Sequence, residues 1–326
     1  MEIDGLLTGR RSNNPMPCPK LSEIPSPQQP KSGWPWNEES EQTPDVMPDG
    51  GAWPAISIVT PSYNQGKFIE QTIRSVLLQS YPKLEYIIID GGSSDESVEI
   101  IERYSGWLSY WISEPDKGQS HAINKGMSKA RGELVAWLNS DDWLEPKALQ
   151  SAALTYRQAP EGAAGITGRC RWVKGDVTEI RLAKTVYHSL LKKTVRYGLQ
   201  QPSTFFSKEI FDLVGGLDQR LHYVMDRDLW LRIQSRGFEF QTTDLLLSNF
   251  RCHENSKTAG PRDSINLAAR KEIFMIKRKF WGSPLTLDYW TLAARSLAEL
   301  AHSYILSQRT SPRDTRKEPR MRGDSR

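Results

Sequence analysis

The sequence predicts an α/β fold built on a mostly parallel central sheet with helices on both faces, and three observations carry that expectation. Short apolar strands and amphipathic helices alternate four times between residues 56 and 138. One of those strands, Tyr86-Ile87-Ile88-Ile89, is apolar at successive positions, the pattern of a strand buried on both faces. The strands also end on polar, turn-forming clusters, and in such sheets ligands bind beyond the carboxyl ends of the strands.

The elements follow in order. Ile56-Ser57-Ile58-Val59-Thr60 is a strand that stops at the turn formers Pro61, Ser62 and Asn64. The next helix places Ile69, Ile73, Val76 and Leu77 on one face, with Pro82 beyond its end. The Tyr86–Ile89 strand ends at Asp90-Gly91-Gly92, and Ser93 and Ser94 offer N-caps to a helix through Ile101. Tyr110-Trp111-Ile112 is a third strand. A helix from Gln119 to Ala130 leads to the buried strand Leu134-Val135-Ala136-Trp137-Leu138, which breaks at Asn139-Ser140-Asp141-Asp142. After Pro146, Gly165–Val173 and Val177–Leu182 read as a hairpin closed by Lys174-Gly175-Asp176. Asp226–Arg236 is helical and Leu245–Phe250 a strand. Two amphipathic C-terminal helices follow, one with Ile265, Ala269, Ile273, Ile276 and Phe280, the other with Trp290, Ala293, Leu297, Leu300 and Tyr304.

Composition bounds the rest. Hydrophobic residues are 38% and charged ones 25% of 326, a globular balance. No apolar run reaches the roughly 18–20 residues of a membrane span, so a cytoplasmic location is expected. Residues 1–54 hold ten of the twenty prolines and read as a largely irregular leader, with Trp34 and Trp36 expected to anchor it on the body. Residues 55–260 form the main domain, in halves 55–145 and 146–260; 261–308 are the C-terminal helices and 309–326 a disordered tail. That tail carries seven basic residues against three acidic ones, the whole net charge of +4. The body is therefore near neutral, which argues against nucleic acid as a partner. The last helix and the tail are the segments that could touch an anionic membrane at its inner face. Cys18, Cys170 and Cys252 are too few and too scattered for a disulfide framework or a cysteine zinc cluster.

Several clusters carry chemistry. Adjacent carboxylates at Asp141 and Asp142 are costly unless a cation or hydrogen bonds neutralise them. A divalent ion bridging to phosphates would do so; capping of the helix near Pro146 would too. Asp90 before two glycines suits a hydrogen bond to a base or ribose, or a simple turn, and Asp116-Lys117-Gly118 has the same two readings. Asp226 and Asp228 open a helix, where the dipole favours carboxylates and where a general base could also sit. Arg251-Cys252-His253 sets a cation beside a candidate metal ligand. No GxGxxG or GxxxxGK[ST] occurs.

Taken in order, these clusters resemble glycosyltransferase family 2, nucleotide-sugar-dependent enzymes of the GT-A fold with a Rossmann-like sheet. The matching text is Ile56 through Asn64, Ile87 through Asp95, Glu114-Pro115-Asp116-Lys117-Gly118, Asn124-Lys125-Gly126 and Leu138 through Asp142. It continues with Gln201 through Phe206, Gly215-Gly216-Leu217-Asp218 and Asp226-Arg227-Asp228-Leu229-Trp230. The resemblance implies that Thr60, Pro61 and Tyr63 line the nucleotide site, that Asp90 holds the base, and that Asp116 and Lys117 lie near base and ribose. It implies Asp141 at the ribose or donor sugar, Asp142 as ligand of a divalent metal (Mn²⁺ or Mg²⁺), His253 as a second ligand and Asp226 as catalytic base. The implied reaction is inverting transfer of a sugar, from a UDP-sugar by preference, to a hydroxyl of a glycan or lipid-linked acceptor in surface polysaccharide or lipopolysaccharide synthesis. Two positions depart from the family pattern: Asn139 replaces a frequent Asp, and His121 a frequent acid. A sugar nucleotidyltransferase would show a Gly-rich basic loop after the first strand, and Tyr63-Asn64-Gln65-Gly66-Lys67 supplies little of one. A non-catalytic nucleotide- or glycan-binding member of the fold is the other alternative, against which the intact Asp142 and Asp226 speak.

Overall fold

The computed structural model describes residues 2–3, 6–10, 17–181, 199–254, 256–257 and 267–281. Its centre is a parallel block of four strands: β3 (Ile56–Ser62), β4 (Leu84–Asp90), β5 (Tyr110–Ser113) and β6 (Leu134–Trp137). They lie in the order β5-β4-β3-β6. Chain order thus runs outward from β3 to β5 on one side and returns to β6 on the other. That reversal opens a crevice at the carboxyl ends, where Ser62, Asp90, Ser113 and Leu138 stand.

The described helices cover both faces. α1 (Gly66–Leu77), α2 (Ser97–Tyr104) and α4 (Ala148–Arg157) close one core with Ile56, Ile58, Tyr86 and Ile88. α3 (Gln119–Met127), α5 (Lys208–Leu213), α6 (Met225–Ser235) and α7 (Leu267–Trp281) belong to the other, with Val59, Ile87 and Ile89. Alternate residues of β3 and β4 thus enter opposite cores, as the two-residue strand period requires.

The sheet is extended on both flanks by antiparallel pairing. Beyond β6 come β10 (Thr204–Ser207), β8 (Gly165–Lys174), β11 (Phe240–Arg251) and β7 (Trp143–Leu144), with β8 and β11 parallel to each other. β9 (Val177–Arg181) pairs with β8 as the expected hairpin. On the other flank β1 (Glu2–Ile3) and β2 (Leu6–Arg10) add to β5. The sequence reading expects irregular chain there; the free edge of β5 offers unpaired backbone that recruits it. A second correction concerns α2. Ser93 and Ser94 do not cap it; the Asp95 carboxylate accepts from the Ser97 backbone N–H at 3.0 Å.

Residues 17–54 run over the outside of the first core, with a single helical turn at Leu21–Glu23. Trp34 donates its indole N–H to the Leu144 carbonyl at 2.7 Å, and Trp36 is buried. Arg74 of α1, only 1% exposed, meets this segment with its guanidinium. It donates to the carbonyls of Pro25 (2.7 Å), Pro35 (3.1 Å) and Trp36 (2.7 Å). A buried cation needs such acceptors.

α7 carries buried Ala269 and Ile276 and part-buried Ile273 and Phe280, as expected, while Ile265 lies outside the described residues. So do the expected helix over Trp290–Tyr304 and the tail 309–326. No described helix is long and apolar enough to cross a membrane.

Candidate active site

At the crevice lies a cleft of about 880 Å³. Its first wall comes from the parallel block: Pro61, Ser62 and Tyr63 after β3, Gly91 after β4, and Pro115, Asp116, Gly118 and Gln119 before and at the start of α3. Asp116 accepts from the Gly118 N–H at 2.6 Å. A Cβ on Gly91 would stand 2.8 Å from its other oxygen, so glycine there makes room for that carboxylate. Tyr63 is 62% exposed and free to lie against a flat ligand.

Three residues expected at the nucleotide site are placed elsewhere. Asp90 is buried and its carboxylate is consumed locally, accepting from Ser93 N–H (2.8 Å), Ser93 Oγ (2.6 Å), Gly92 N–H (3.1 Å) and Ser113 Oγ (2.7 Å). It shapes the turn that presents Gly91. Thr60 is buried against the Tyr86 hydroxyl at 3.1 Å. Lys117 is exposed and off the cleft wall.

The floor is the loop after β6, where Asn139, Ser140 and Asp141 line the cleft. Asp142 does not: it is fully buried, accepting from the Arg251 N–H at 2.9 Å and from Asn139 Nδ2 at 3.3 Å. Burial, together with the neighbouring Asp141 charge, pushes the Asp142 carboxyl well above the usual range. The partner of His253 is Asp141, whose Oδ2 stands 3.0 Å from His253 Nε2. The structure therefore puts Asp141, and not Asp142, on the cleft and against His253. Arg251 holds the arrangement from behind. Its Nε donates to the Asp141 carbonyl (3.0 Å), another guanidinium nitrogen to Gln71 Oε1 (2.7 Å), and the cation sits over the rings of Phe68 and Trp143. From α1 the Thr72 hydroxyl lies 2.6 Å from the Asp142 carbonyl.

Among the described residues no group of three His, Cys, Asp or Glu gathers. The donor set is one carboxylate and one imidazole, Asp141 and His253. It suits a hard divalent cation whose remaining positions are filled by phosphate oxygens and water.

The opposite wall belongs to the second half of the domain. Asp226, in the first turn of α6, lines the cleft and accepts from the Arg227 N–H at 2.8 Å. Burial raises its carboxyl above the ordinary value, against the lowering effect of Arg227. Asp228, two residues on, faces inward to Arg232 Nε (2.7 Å) and Lys279 Nζ (2.8 Å), tying α7 to α6. Glu272 of α7 caps the entry to α6, accepting from the N–H groups of His222 (2.9 Å), Tyr223 (2.8 Å) and Val224 (3.2 Å). Trp172 packs on Phe250 with centroids 4.3 Å apart, and Arg181 lies 3.4 Å over the Trp172 ring. Lys257 donates to Gln119 Oε1 at 2.8 Å, bridging the two walls; burial lowers its pKa. Sequence reasoning missed Trp172, Arg181, Glu272 and Lys257. No motif marks them; the Trp in the β8 hairpin was the one available signal.

This sheet order, with a cleft at the carboxyl ends of the parallel strands, is that of a glycosyltransferase of the GT-A architecture. The family model described as glycosyl transferase family 2 matches residues 57–212 of the chain. An uncharacterized glycosyltransferase of Mycobacterium tuberculosis (strain ATCC 25618 / H37Rv) is 29% identical over 193 residues, which are 55% of this chain and 68% of the relative. The Bacillus subtilis (strain 168) protein named for teichuronic acid biosynthesis, glycosyltransferase TuaG, is 40% identical over 98 residues, 29% of this chain and 39% of that one. Among solved structures, S. aureus TarS 1-349 in complex with UDP-GlcNAc superposes with a TM-score of 0.56 at 18% identity, covering 69% of this chain and 65% of that chain. The mannosyltransferase PcManGT from Pyrobaculum calidifontis, in complex with GDP-Man and Mn²⁺, gives 0.52 at 18% identity, covering 81% of each. These two likenesses concern the fold.

Proposed function

We propose that this protein transfers a sugar from a nucleotide-sugar donor, by preference a UDP-sugar, to a hydroxyl of a glycan or lipid-linked acceptor, with inversion at the anomeric carbon. The observation that supports it best is the sorting of four aspartates. Asp141 and Asp226 reach one cleft from opposite halves of the domain, while their neighbours Asp142 and Asp228 are sealed behind it. The base and ribose of the donor lie along Pro61, Tyr63 and Asp116. Asp141 and His253 hold Mn²⁺ or Mg²⁺, which when bound offsets the charge on the departing diphosphate. Lys257 adds a cation at the same place. Asp226 takes the proton of the acceptor hydroxyl as its oxygen bonds to the anomeric carbon and the bond to the diphosphate breaks. The burial that raises its carboxyl makes it a better base than a solvated aspartate. The likeness to TuaG supports a place in surface polysaccharide synthesis.

The test is a thermal-shift panel of UDP, GDP, TDP and CMP, each with and without Mn²⁺. One diphosphate stabilising the protein in a metal-dependent manner, with the metal-dependent part lost in Asp141→Ala, is the expected result. No shift with any nucleotide would sink the reading.

A further inference from the structure

Asp226 is the first of three polar groups on one face of α6. Trp230 and Gln234 follow at i+4 and i+8, and all three line the cleft. At 1.5 Å per residue the stripe extends about 6 and 12 Å from the aspartate along the helix axis. Its two further members have unspent polar atoms: Trp230 Nε1 and Gln234 Oε1 are both buried and have no hydrogen-bond partner among the described residues. The Trp230 side chain is only 3% exposed, and its ring is held by stacking on Trp137 (centroids 5.6 Å apart, planes at 14°) and by Phe240 edge-on at 5.2 Å. The N–H is therefore fixed in direction and does not swing to find a partner. Buried donors and acceptors are nearly always satisfied in folded proteins, so an orphan of each kind on a cleft wall calls for a ligand.

We infer that this face of α6 is a sugar subsite, in which hydroxyls are read by the Trp230 N–H as donor and the Gln234 carbonyl as acceptor. A hydroxyl is the group that serves both, since it accepts and donates at once, whereas a carboxylate or phosphate only accepts and would be rejected by the Gln234 oxygen. The inference rests on the proposed transfer reaction and deepens it. It assigns to this chain a pair of specificity-determining residues, and the sugar concerned belongs either to the donor or to the acceptor.

Trp230→Phe removes the N–H and keeps the ring; Gln234→Leu removes the amide and keeps the volume. Calorimetry with UDP and GDP, then UDP-glucose, UDP-GlcNAc and GDP-mannose, then a panel of methyl glycopyranosides in the presence of the nucleotide that binds, reads the subsite directly. Nucleoside diphosphate affinity is expected to stay within twofold of wild type in both variants, which also shows that they are folded. If the sugar is the donor's, the extra affinity of the sugar nucleotide over its diphosphate falls about three- to tenfold. If it is the acceptor's, that increment is kept and glycoside binding falls by the same factor. Wild-type increments retained in both arms, or no glycoside binding to wild type together with a retained donor increment, would overturn the subsite: the orphan atoms would then serve bound water only. Failure of wild type to bind any nucleotide would instead overturn the transfer reading beneath it.

Discussion

At the scale of the residue, the cleft separates pairs of carboxylates that chain position makes almost equivalent. Asp141 and Asp142 are adjacent, so their side chains leave the backbone on different sides. The sequence shows that a pair is there but not which member meets the ligand; the Arg251 N–H and Asn139 amide decide it by claiming Asp142. Asp141→Ala is therefore expected to abolish the Mn²⁺-dependent part of the UDP thermal shift, and Asp142→Asn to retain it. The reverse pattern would return the metal to Asp142. Asp226→Asn is expected to lower kcat by about 10²–10⁴-fold while nucleotide affinity is kept, because only proton transfer is lost. Since its carboxyl is raised in the folded state, ionising it costs stability. That cost is absent below the unfolded pKa and complete above the folded one, so stability drains as pH rises between them. The Asn variant should accordingly melt higher than wild type at neutral pH. Wild-type transfer should fail on the acid side at a pH above the ordinary carboxylate range, which a pH–rate profile of kcat tests.

Elements were legible wherever burial leaves a helical period or an unbroken apolar run. Ile69, Ile73, Val76 and Leu77 announce α1, and all four are buried; Tyr86–Ile89 announce β4. β10 was not legible, since Thr204-Phe205-Phe206-Ser207 has no period of its own and becomes a strand only by fitting between β6 and β8. α5 follows it directly and shares its fate. β2 depends likewise on an edge that the leader's own composition does not reveal. Two contacts between elements make sharp tests. A Cβ on Gly126 of α3 would stand 2.4 Å from Val59 Cγ1, so α3 lies on β3 closer than any larger residue allows. Gly126→Ala should cost about 1–3 kcal/mol in denaturant unfolding; no loss would mean that α3 packs less closely than described. Arg74 has three of its four hydrogen-bond partners in the leader, and Arg74→Ala strips them of their donor. A loss of about 3 kcal/mol is expected, and an unchanged melting temperature would mean that the leader is held by its tryptophans alone.

Across the whole molecule, the site is a property of neither half. The first half supplies Tyr63, Asp116 and Asp141 to the cleft; the second supplies Asp226 and Lys257, and sets His253 against Asp141, from elements placed by β10, β11 and α7. Ligand binding should therefore stabilise the assembly and not one wall. A diphosphate at a hundred times its Kd should add about 2.7 kcal/mol to unfolding by mass action, read as a single shifted transition; two transitions, one shifted, would show that the halves unfold apart. The clasp of residues 17–54 has another consequence, in time instead of space. The hydrogen bond from Trp34 to Leu144 joins positions 110 apart, and Arg74, Leu78 and Lys147 also receive the leader only after they exist. At roughly 5–20 residues per second of synthesis, two indoles wait on the order of 5–20 s for the surface that buries them. A segment that leaves the ribosome ahead of its own docking surface thus finds its place late, and during that interval the nascent chain offers chaperones an apolar handle that the finished enzyme no longer shows.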